Sequence, residues 1–259
     1  MAVNPSEHRT TGRVLDIFEL LASSDTGFTL TEIAKKIGAP KSSIFPMLHT
    51  LECRHYISLN PNTLKYSIGV SMFAIGSTYV NNENLLNHIT REMTKLVDIC
   101  NETCSLGILD GYNVLYIAKK DSPQSLRLVT YVGKQVSANC TALGKALLCK
   151  HTFEEIERLF PKEVPYCTKH SITDLNVLYS QLKQVEREGF AYENEEFAEQ
   201  IQCIAVPIMK QGKPVVAVSV STPSFRNDSK KIEVIKRELM NIKLKIELLL
   251  RNSNAQLRP

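Results

Sequence analysis

The chain has no apolar run long enough to cross a membrane and no apolar segment near its start. A transmembrane helix needs about 20 consecutive apolar residues, and no stretch of the sequence approaches that length. The opening residues, MAVNPSEHRTTGR, lack the apolar core of a secretory signal peptide. We therefore expect a cytoplasmic protein with no membrane partner.

The seven cysteines are odd in number, scattered along the chain, and without any C-x-x-C pair. This usage indicates neither a disulfide framework nor a zinc finger. Cys167 lies near His170, and Cys149 lies near His151. Isolated pairs of this kind are far more often packing and surface residues than half of a metal site, so we predict no metal.

Signals for catalysis and for nucleotide cofactors are also weak. Cys140 lies at a predicted helix N-terminus, where the pKa of a thiol can be lowered. No His or acid has a spacing that identifies it as the partner base. The pair Gly144-Lys145 is not a phosphate loop, because Asn139 and Ala146 stand where that loop needs Gly and Ser or Thr. We predict neither an enzyme activity nor a cofactor.

What the sequence does contain is a globular composition with a strong local pattern near its start. The 259 residues are 43% hydrophobic and 22% charged, with a formal charge of +4, as expected for one or two soluble domains. Two helical stripes follow each other closely, at Leu30, Ile33, Ala34 and Ile37 and then at Ile44, Met47, Leu48 and Leu51. Thr29 and Glu32 have the spacing of a capping box, and Gly38-Ala39-Pro40 forms a short turn between the helices.

A strand-turn-strand pattern follows the second helix, with alternating residues on both sides of Asn60-Pro61-Asn62-Thr63. The order of elements predicts a winged helix-turn-helix in residues 1–68, a module that binds double-stranded DNA. The residues on the outward face of the second helix and on the wing are the candidate DNA contacts. They are Lys41, Ser42, Ser43, Phe45 and His49 on the helix and Asn62 and Lys65 on the wing.

Two observations leave the DNA interpretation open to an alternative, an ordinary protein-binding module. From residue 1 to 66, seven Lys or Arg are balanced by six acids, so the domain has no strongly basic surface. Pro46 also removes one amide from the second helix and is expected to bend or tighten its first turn.

The remainder predicts a linker helix and a second domain. Residues 69–82 form the linker, with Val70, Phe73 and Ala74 inward and available as a seam between subunits, and residues 83–259 form the second domain. Strand patterns lie at 104–109, 114–118, 126–132, 190–193, 203–209 and 215–221, and helical patterns at 85–100, 141–148, 174–188 and 232–249. Because strands and helices do not strictly alternate, the fold class is α+β, with an antiparallel sheet flanked by helices.

Ser219 and Ser221 suggest a pocket in this domain. They are two apart, hence on one face of one strand, within an otherwise apolar run. A helix start at Thr141 and Ala142 would offer free amides to a carboxylate. The alternative is that the two hydroxyls bond to neighbouring backbone.

The sequence resembles the IclR family of bacterial transcription regulators along nearly its whole length. The likeness is carried by residues 189–223, by Ala142 to Ala146 and by Pro40 to Ser43. It departs at Phe45-Pro46, because the family usually has an Arg at the position of Pro46. The resemblance implies a homodimer or a dimer of dimers, and a C-terminal profilin-like or GAF-like domain that binds a small organic acid. Carried to this sequence, the effector contacts are Ala142, Leu143, Glu193, Cys203, Ser219 and Ser221.

These observations predict a DNA-binding regulator whose operator affinity is controlled by a small carboxylate, such as a sugar acid or another catabolic intermediate. Glu193 favours a ligand with hydroxyl groups, since an acid would repel a purely anionic one. Alternatively, Glu193 is a strand-end residue that pairs with a Lys or with solvent. A constitutive DNA-binding or scaffolding protein without an effector is the alternative function.

Overall fold

The computed structural model describes residues 8–80 and 83–252. The chain divides after Asn82 into two compact units, and each is considered by itself. Among the described helices, none combines the length and the apolar character that spanning a membrane requires.

The first unit is a three-helix fold with a small antiparallel sheet. Its elements are α1 (Arg9–Ala22), β1 (Phe28–Thr29), α2 (Leu30–Ile37), α3 (Lys41–Cys53), β2 (Ile57–Asn60), β3 (Lys65–Ile68) and α4 (Val70–Val80). The strands are ordered β1-β3-β2. The winged helix-turn-helix prediction is confirmed, although the short strand β1, paired with β3, was not anticipated.

Local chemistry fixes the helix-turn-helix. The Thr29 amide donates to Glu32 Oε2 at 2.8 Å, and the Glu32 amide donates to Thr29 Oγ1, so the capping box starts α2. Gly38 ends α2 in the left-handed conformation, at a φ of 69°. Ile44 and Leu48 of α3 are fully buried against this helix and α1.

The linker helix α4 corrects one prediction. Val70 and Phe73 are 73% and 77% exposed, and Ala74 is exposed too, so the inward packing predicted for them is wrong within this chain. The start of α4 is held by backbone bonds, since the Ser71 amide donates to the His55 carbonyl at 3.0 Å. The last two residues of the predicted linker, Asn81 and Asn82, lie outside the described residues.

The second unit is a six-stranded antiparallel sheet with helices on both faces. Its elements are α5 (Glu83–Cys100), β4 (Thr103–Asp110), β5 (Asn113–Lys120), β6 (Gln135–Ser137), a 3₁₀ turn (Ala138–Cys140), α6 (Ala142–Leu148), α7 (Phe153–Leu159), α8 (Leu175–Glu188), β7 (Ala191–Asn194), β8 (Ile201–Lys210), β9 (Lys213–Pro223), a second 3₁₀ turn (Ser224–Arg226) and α9 (Ser229–Asn252). The strand order is β6-β5-β4-β9-β8-β7. The α+β prediction is confirmed.

The two faces of this sheet differ in the size of their side chains. The face toward α5 and α9 carries large aliphatic residues such as Leu106, Val206 and Val218. The face toward α6 and α8 carries small ones, among them Ala205 and Ala217. Because small side chains leave room for close approach, α6 packs directly on β8 and β9.

The segment 126–132 is irregular, so the strand predicted there is wrong. Its side chains do alternate, with Leu128 and Thr130 buried and Val129 exposed. Two of its carbonyls, however, accept side-chain donors: Lys119 Nζ donates to the Thr130 carbonyl at 2.7 Å, and an Arg226 guanidinium nitrogen donates to the Leu126 carbonyl at 2.8 Å. The neighbouring edge strand β6 and helix α7 were not predicted.

Candidate functional site

The first candidate surface is the outward face of α3. Lys41, Ser42, Phe45 and His49 are exposed, and Ser43 is half-buried. No side chain caps this helix, whose N-cap is Pro40. Within the described residues the amides of Lys41 and Ser42 have no acceptor. A helix start of this kind presents free N–H groups and a partial positive charge to a phosphate.

Pro46 lies inside α3, which continues unbroken from Lys41 to Cys53. Because proline has no N–H, the Ser42 carbonyl lacks its usual helical donor. The Thr50 hydroxyl donates to the Pro46 carbonyl at 2.9 Å. Phe45 is 51% exposed, and its ring lies 6.4 Å from that of His49, so the two form an exposed aromatic pair.

The two wing residues are placed differently. Asn62 is exposed in the β2–β3 turn, where its amide donates to Asn60 Oδ1 at 2.9 Å. Lys65 is half-buried on β3, opposite Thr29 and Asn60. The pKa of Glu32 is lowered mainly by its bond to the Thr29 amide and to a smaller extent by the Lys65 charge. Lys65 therefore has an acidic neighbour that offsets part of its charge.

The second candidate site is the α6 face of the large sheet. Strand register places Glu193 opposite Cys203, Cys203 opposite Ser221, and Ser221 opposite Thr103. The structure thus brings Glu193, Cys203 and Ser221 into one row across three strands, and Thr103, which was not predicted, continues the row on β4. Ser219 lies two residues from Ser221, on the same face.

Helix α6 supplies the other wall of this site. Thr141, Ala142 and Leu143 are all buried. The Thr141 hydroxyl accepts the Gly144 amide at 3.0 Å and so caps the helix. Within the described residues the amides of Ala142 and Leu143 have no protein acceptor.

Gly144 explains how α6 comes so close. A β-carbon added at this position would lie 2.1 Å from the carbonyl oxygen of Ala138. Only glycine allows the helix to rest on the 3₁₀ turn of residues 138–140.

The two serines of β9 have different environments, though both are only 3% exposed. The Cys203 thiol donates to Ser221 Oγ at 3.2 Å. Ser219 lies opposite Ser105 of β4 and Ala205 of β8. The Ser221 hydroxyl is thus bonded to a side chain, so the alternative in which both hydroxyls bond to neighbouring backbone does not hold for Ser221.

Glu193 is 2% exposed and its described partners are backbone amides, so the alternative in which it pairs with a Lys or with solvent is wrong. One carboxylate oxygen, Oε1, accepts the amides of Glu196 at 2.6 Å and Phe197 at 3.1 Å. The other, Oε2, is buried without a partner among the described residues. Burial raises the pKa of this carboxyl above its usual value.

Sequence reasoning missed several polar residues beside this row. Ser105 lies opposite Ser219, and its hydroxyl is buried without a described partner. Lys119 lies opposite Ser105 and is largely buried, with Asp121 at 2.7 Å. The signal was available, because Thr103 and Ser105 repeat on β4 the two-residue spacing that identified Ser219 and Ser221.

Cys140 and Cys203 are buried and show no sign of nucleophilic activation. Burial raises the pKa of Cys140 to about 12 and that of Cys203 well above its usual value. Cys53 and Cys167 are exposed. Among the described residues, no three His, Cys, Asp or Glu side chains are grouped as metal ligands.

Comparison with known proteins gives consistent matches for both units. A model of the bacterial transcriptional regulator IclR C-terminal domain matches residues 77–248, and a model of the IclR helix-turn-helix domain matches residues 10–61. The HTH-type transcriptional regulator KdgR of Dickeya chrysanthemi is 30% identical over 217 residues, covering 82% of this chain and 71% of the relative.

Two solved structures share the fold over nearly the whole chain. An IclR transcriptional regulator from Alicyclobacillus acidocaldarius aligns with a TM-score of 0.83 at 23% identity, covering 93% of this chain and 98% of the other. An IclR homologue from Microbacterium hydrocarbonoxydans, complexed with 4-hydroxybenzoate, aligns with a TM-score of 0.80 at 20% identity, covering 94% and 100%.

Proposed function

The chain belongs to the IclR family of bacterial transcriptional regulators, and we propose that a small hydroxylated carboxylate bound in its second unit controls its affinity for a DNA operator. Members of this family are regulators and not enzymes, and the chain is a DNA-binding transcriptional regulator with a C-terminal effector domain. The operator contacts, the effector class and the assembly are the proposed parts, and the cytoplasm is the proposed compartment.

The proposed operator contacts are the start of α3 and the wing. The uncapped amides of Lys41 and Ser42 and the Lys41 ammonium suit a phosphate. Phe45 and His49 project from the same exposed face, toward base edges in the groove. Asn62 and Lys65 contact the sugar-phosphate backbone of the DNA from the wing. Because the unit has no strong excess of cations, these few contacts must carry the binding.

A double variant, Lys41→Ala with Ser43→Ala, tests this docking face. We expect weaker binding to an operator selected from genomic fragments, with the fold unchanged, because neither side chain belongs to the core. If Lys41 contacts a phosphate, the salt dependence of log K should fall by about one unit. Lys213→Ala, the same loss of charge at an exposed position of the second unit, is the control. Native folding with unchanged affinity would reject the face.

The proposed effector lies between the α6 start and the row Glu193, Cys203, Ser221. The free amides of Ala142 and Leu143, next to Thr141, hold its carboxylate. Ser219 and Ser221 bind its hydroxyls. The observation that carries the class is Glu193, whose Oε2 is buried without a partner. A ligand hydroxyl that donates to this oxygen removes the cost of an unsatisfied buried acceptor.

Other acids meet these conditions less well. A carboxylate placed beside Glu193 would be repelled, so the acid group belongs at the helix start and the hydroxyls at the strands. The 4-hydroxybenzoate of the Microbacterium homologue also combines one acid with one hydroxyl. A sugar acid supplies several hydroxyls, enough for Glu193 and both serines.

Calorimetry with a panel of sugar acids against wild type, Ser221→Ala and Glu193→Ala tests the site. Each variant removes one partner of the ligand, so we expect weaker binding in both. Thr222→Val is the matched control, since Thr222 carries a buried hydroxyl without a described partner on the opposite face of the same strand. Equal affinities in all the proteins would remove this site, and no binding to any panel member would favour a constitutive DNA-binding protein.

We also propose a homodimer, or a tetramer built from dimers. One winged helix reads a single half-site, and tight binding usually needs two. The exposed apolar side chains of Val70 and Phe73, with Ala74 beside them, offer a seam for pairing α4. Sedimentation at micromolar concentration checks the assembly. A monomer that still binds its operator tightly would contradict it.

A further inference from the structure

Lys145 is the largest fully buried side chain of the described residues, with an exposed fraction of 1%. It lies on α6, and its Nζ is 2.6 Å from Glu196 Oε1 and 3.0 Å from the Tyr192 carbonyl. Lysine is almost never fully buried unless it is paired. The ion pair with Glu196 therefore has a specific place in this unit.

Glu196 belongs to the turn between β7 and β8. Backbone amides of this turn hold the Glu193 carboxylate. Glu193 Oε1 accepts the Glu196 and Phe197 amides. The same turn is tied at its carbonyls, because the Thr168 hydroxyl donates to the Glu195 carbonyl and the Ser171 hydroxyl donates to the Glu196 carbonyl, each at 2.6 Å. Glu195 has a φ of 59°, a conformation that such ties must maintain.

The ion pair joins the two walls of the candidate effector site. Lys145 lies one turn beyond the α6 start, and its amide donates to the Thr141 carbonyl at 3.1 Å. Glu196 lies three residues beyond Glu193. A change in the Lys145–Glu196 distance would therefore move the carboxylate-binding wall relative to the hydroxyl-binding wall.

We propose that Lys145 and Glu196 are a positioning pair that sets the distance between the α6 start and Glu193, and so governs effector affinity without touching the effector. The proposal rests on the effector site proposed above. It names the contact through which a ligand on one wall is sensed at the other.

The observations favour this role over simple stabilisation of the fold. A buried ion pair often contributes no more to stability than an apolar pair of the same volume. Here the pair is also incompletely satisfied, because Glu196 Oε2 is buried with no partner among the described residues. What the pair provides is a fixed geometry between two elements 51 positions apart in the sequence.

The test compares Lys145→Met, Glu196→Gln and the double variant with wild type. Hydrogen exchange in the ligand-free protein reports on residues 194–198, and calorimetry with a sugar acid reports on affinity. The single variants lower the melting temperature, because each leaves a buried charge without its counter-charge. The double variant regains the melting temperature, yet exchanges at least about ten-fold faster in the turn and binds the acid about ten-fold more weakly.

A control variant separates this effect from general loosening. Lys243→Met breaks another ion pair of the same unit, with Glu247 at 2.8 Å, on α9 and away from the turn. We expect a lower melting temperature without faster exchange in residues 194–198.

Three results decide the proposal. Wild-type exchange in the double variant means that the pair only stabilises the fold and overturns the proposal, as does faster exchange with unchanged affinity. Faster exchange in the turn, together with a wild type that binds none of the acids, overturns the effector class while supporting the role of the pair in positioning Glu193.

Discussion

The outward face of α3 and the α6 face of the large sheet hold their side chains in opposite ways. On α3, exposed residues such as Lys41 and His49 take their positions from the helix itself. On the sheet, buried residues from four strands hold one another, as Cys203 holds Ser221 and Glu193 holds the turn after it. Changes on the first surface should alter binding alone, whereas changes in the second site should alter binding and stability together.

The largest effect is expected from a substitution on the buried face of α3, which should alter binding and stability together. Leu48 is fully buried, so Leu48→Ala should lower the free energy of unfolding of the first unit by about 2 to 5 kcal/mol. Operator binding should be lost, although no contact residue has changed. Urea unfolding checks this, with Leu48→Met, expected to cost less than about 1.5 kcal/mol, as the control. A stable Leu48→Ala variant would refute the core assignment.

A second substitution alters the position of α6 at the sheet site. In Gly144→Ala the new methyl group meets the Ala138 carbonyl, so α6 or the 3₁₀ turn must move. We expect a loss of about 1 to 3 kcal/mol and weaker effector binding, measured by denaturation and calorimetry. Gly76→Ala, where no atom lies within 4 Å of the added carbon, is the control. Unaltered binding in Gly144→Ala would mean that the α6 start is not part of the site.

The smallest expected effect is a pH dependence of the free energy of unfolding that comes from Glu193 of the sheet site. Burial raises the pKa of Glu193 above the usual glutamate value of about 4.3. Between that value and the raised pKa, the folded protein binds more protons than the unfolded chain, so its free energy of unfolding falls as pH rises. Glu193→Gln cannot ionise and avoids this loss. Relative to wild type, the variant should gain stability as pH rises from the usual glutamate value of about 4.3 through the raised pKa; a constant difference in denaturation experiments would contradict this.

The two regions were predicted from the sequence to different extents, because their contacts differ in sequence separation. The α2–α3 module depends on contacts a few residues apart, such as Thr29 with Glu32, and these are visible in sequence. The two-residue spacing of Thr103 and Ser105 is visible in the sequence, but the place of Ser105 beside Ser219 depends on the pairing of distant strands, which no local pattern specifies. For the same reason, the alternation in residues 126–132 predicted a strand that has no partner in the sheet.

Two further differences between prediction and structure, at α7 and at α4, have other causes. Helix α7 is preceded by the N-cap Thr152, which forms a capping box with Glu155, so a local signal for this helix is present in the sequence. Val70 and Phe73 were predicted both to face inward and to offer a seam between subunits, and only the inward packing is wrong. Their exposure here is what a subunit interface would produce.

The distribution of cysteines has a practical consequence for studying both surfaces. Five thiols are buried, and burial raises their pKa, to about 11 in Cys100 and about 12 in Cys140. The exposed thiols are Cys53, in the last turn of α3, and Cys167, whose amide donates to the Ser171 hydroxyl that also ties the Glu196 turn. A thiol-reactive fluorophore will therefore label one position near each proposed site, and the natural chain can report on DNA and on effector without an added reporter residue.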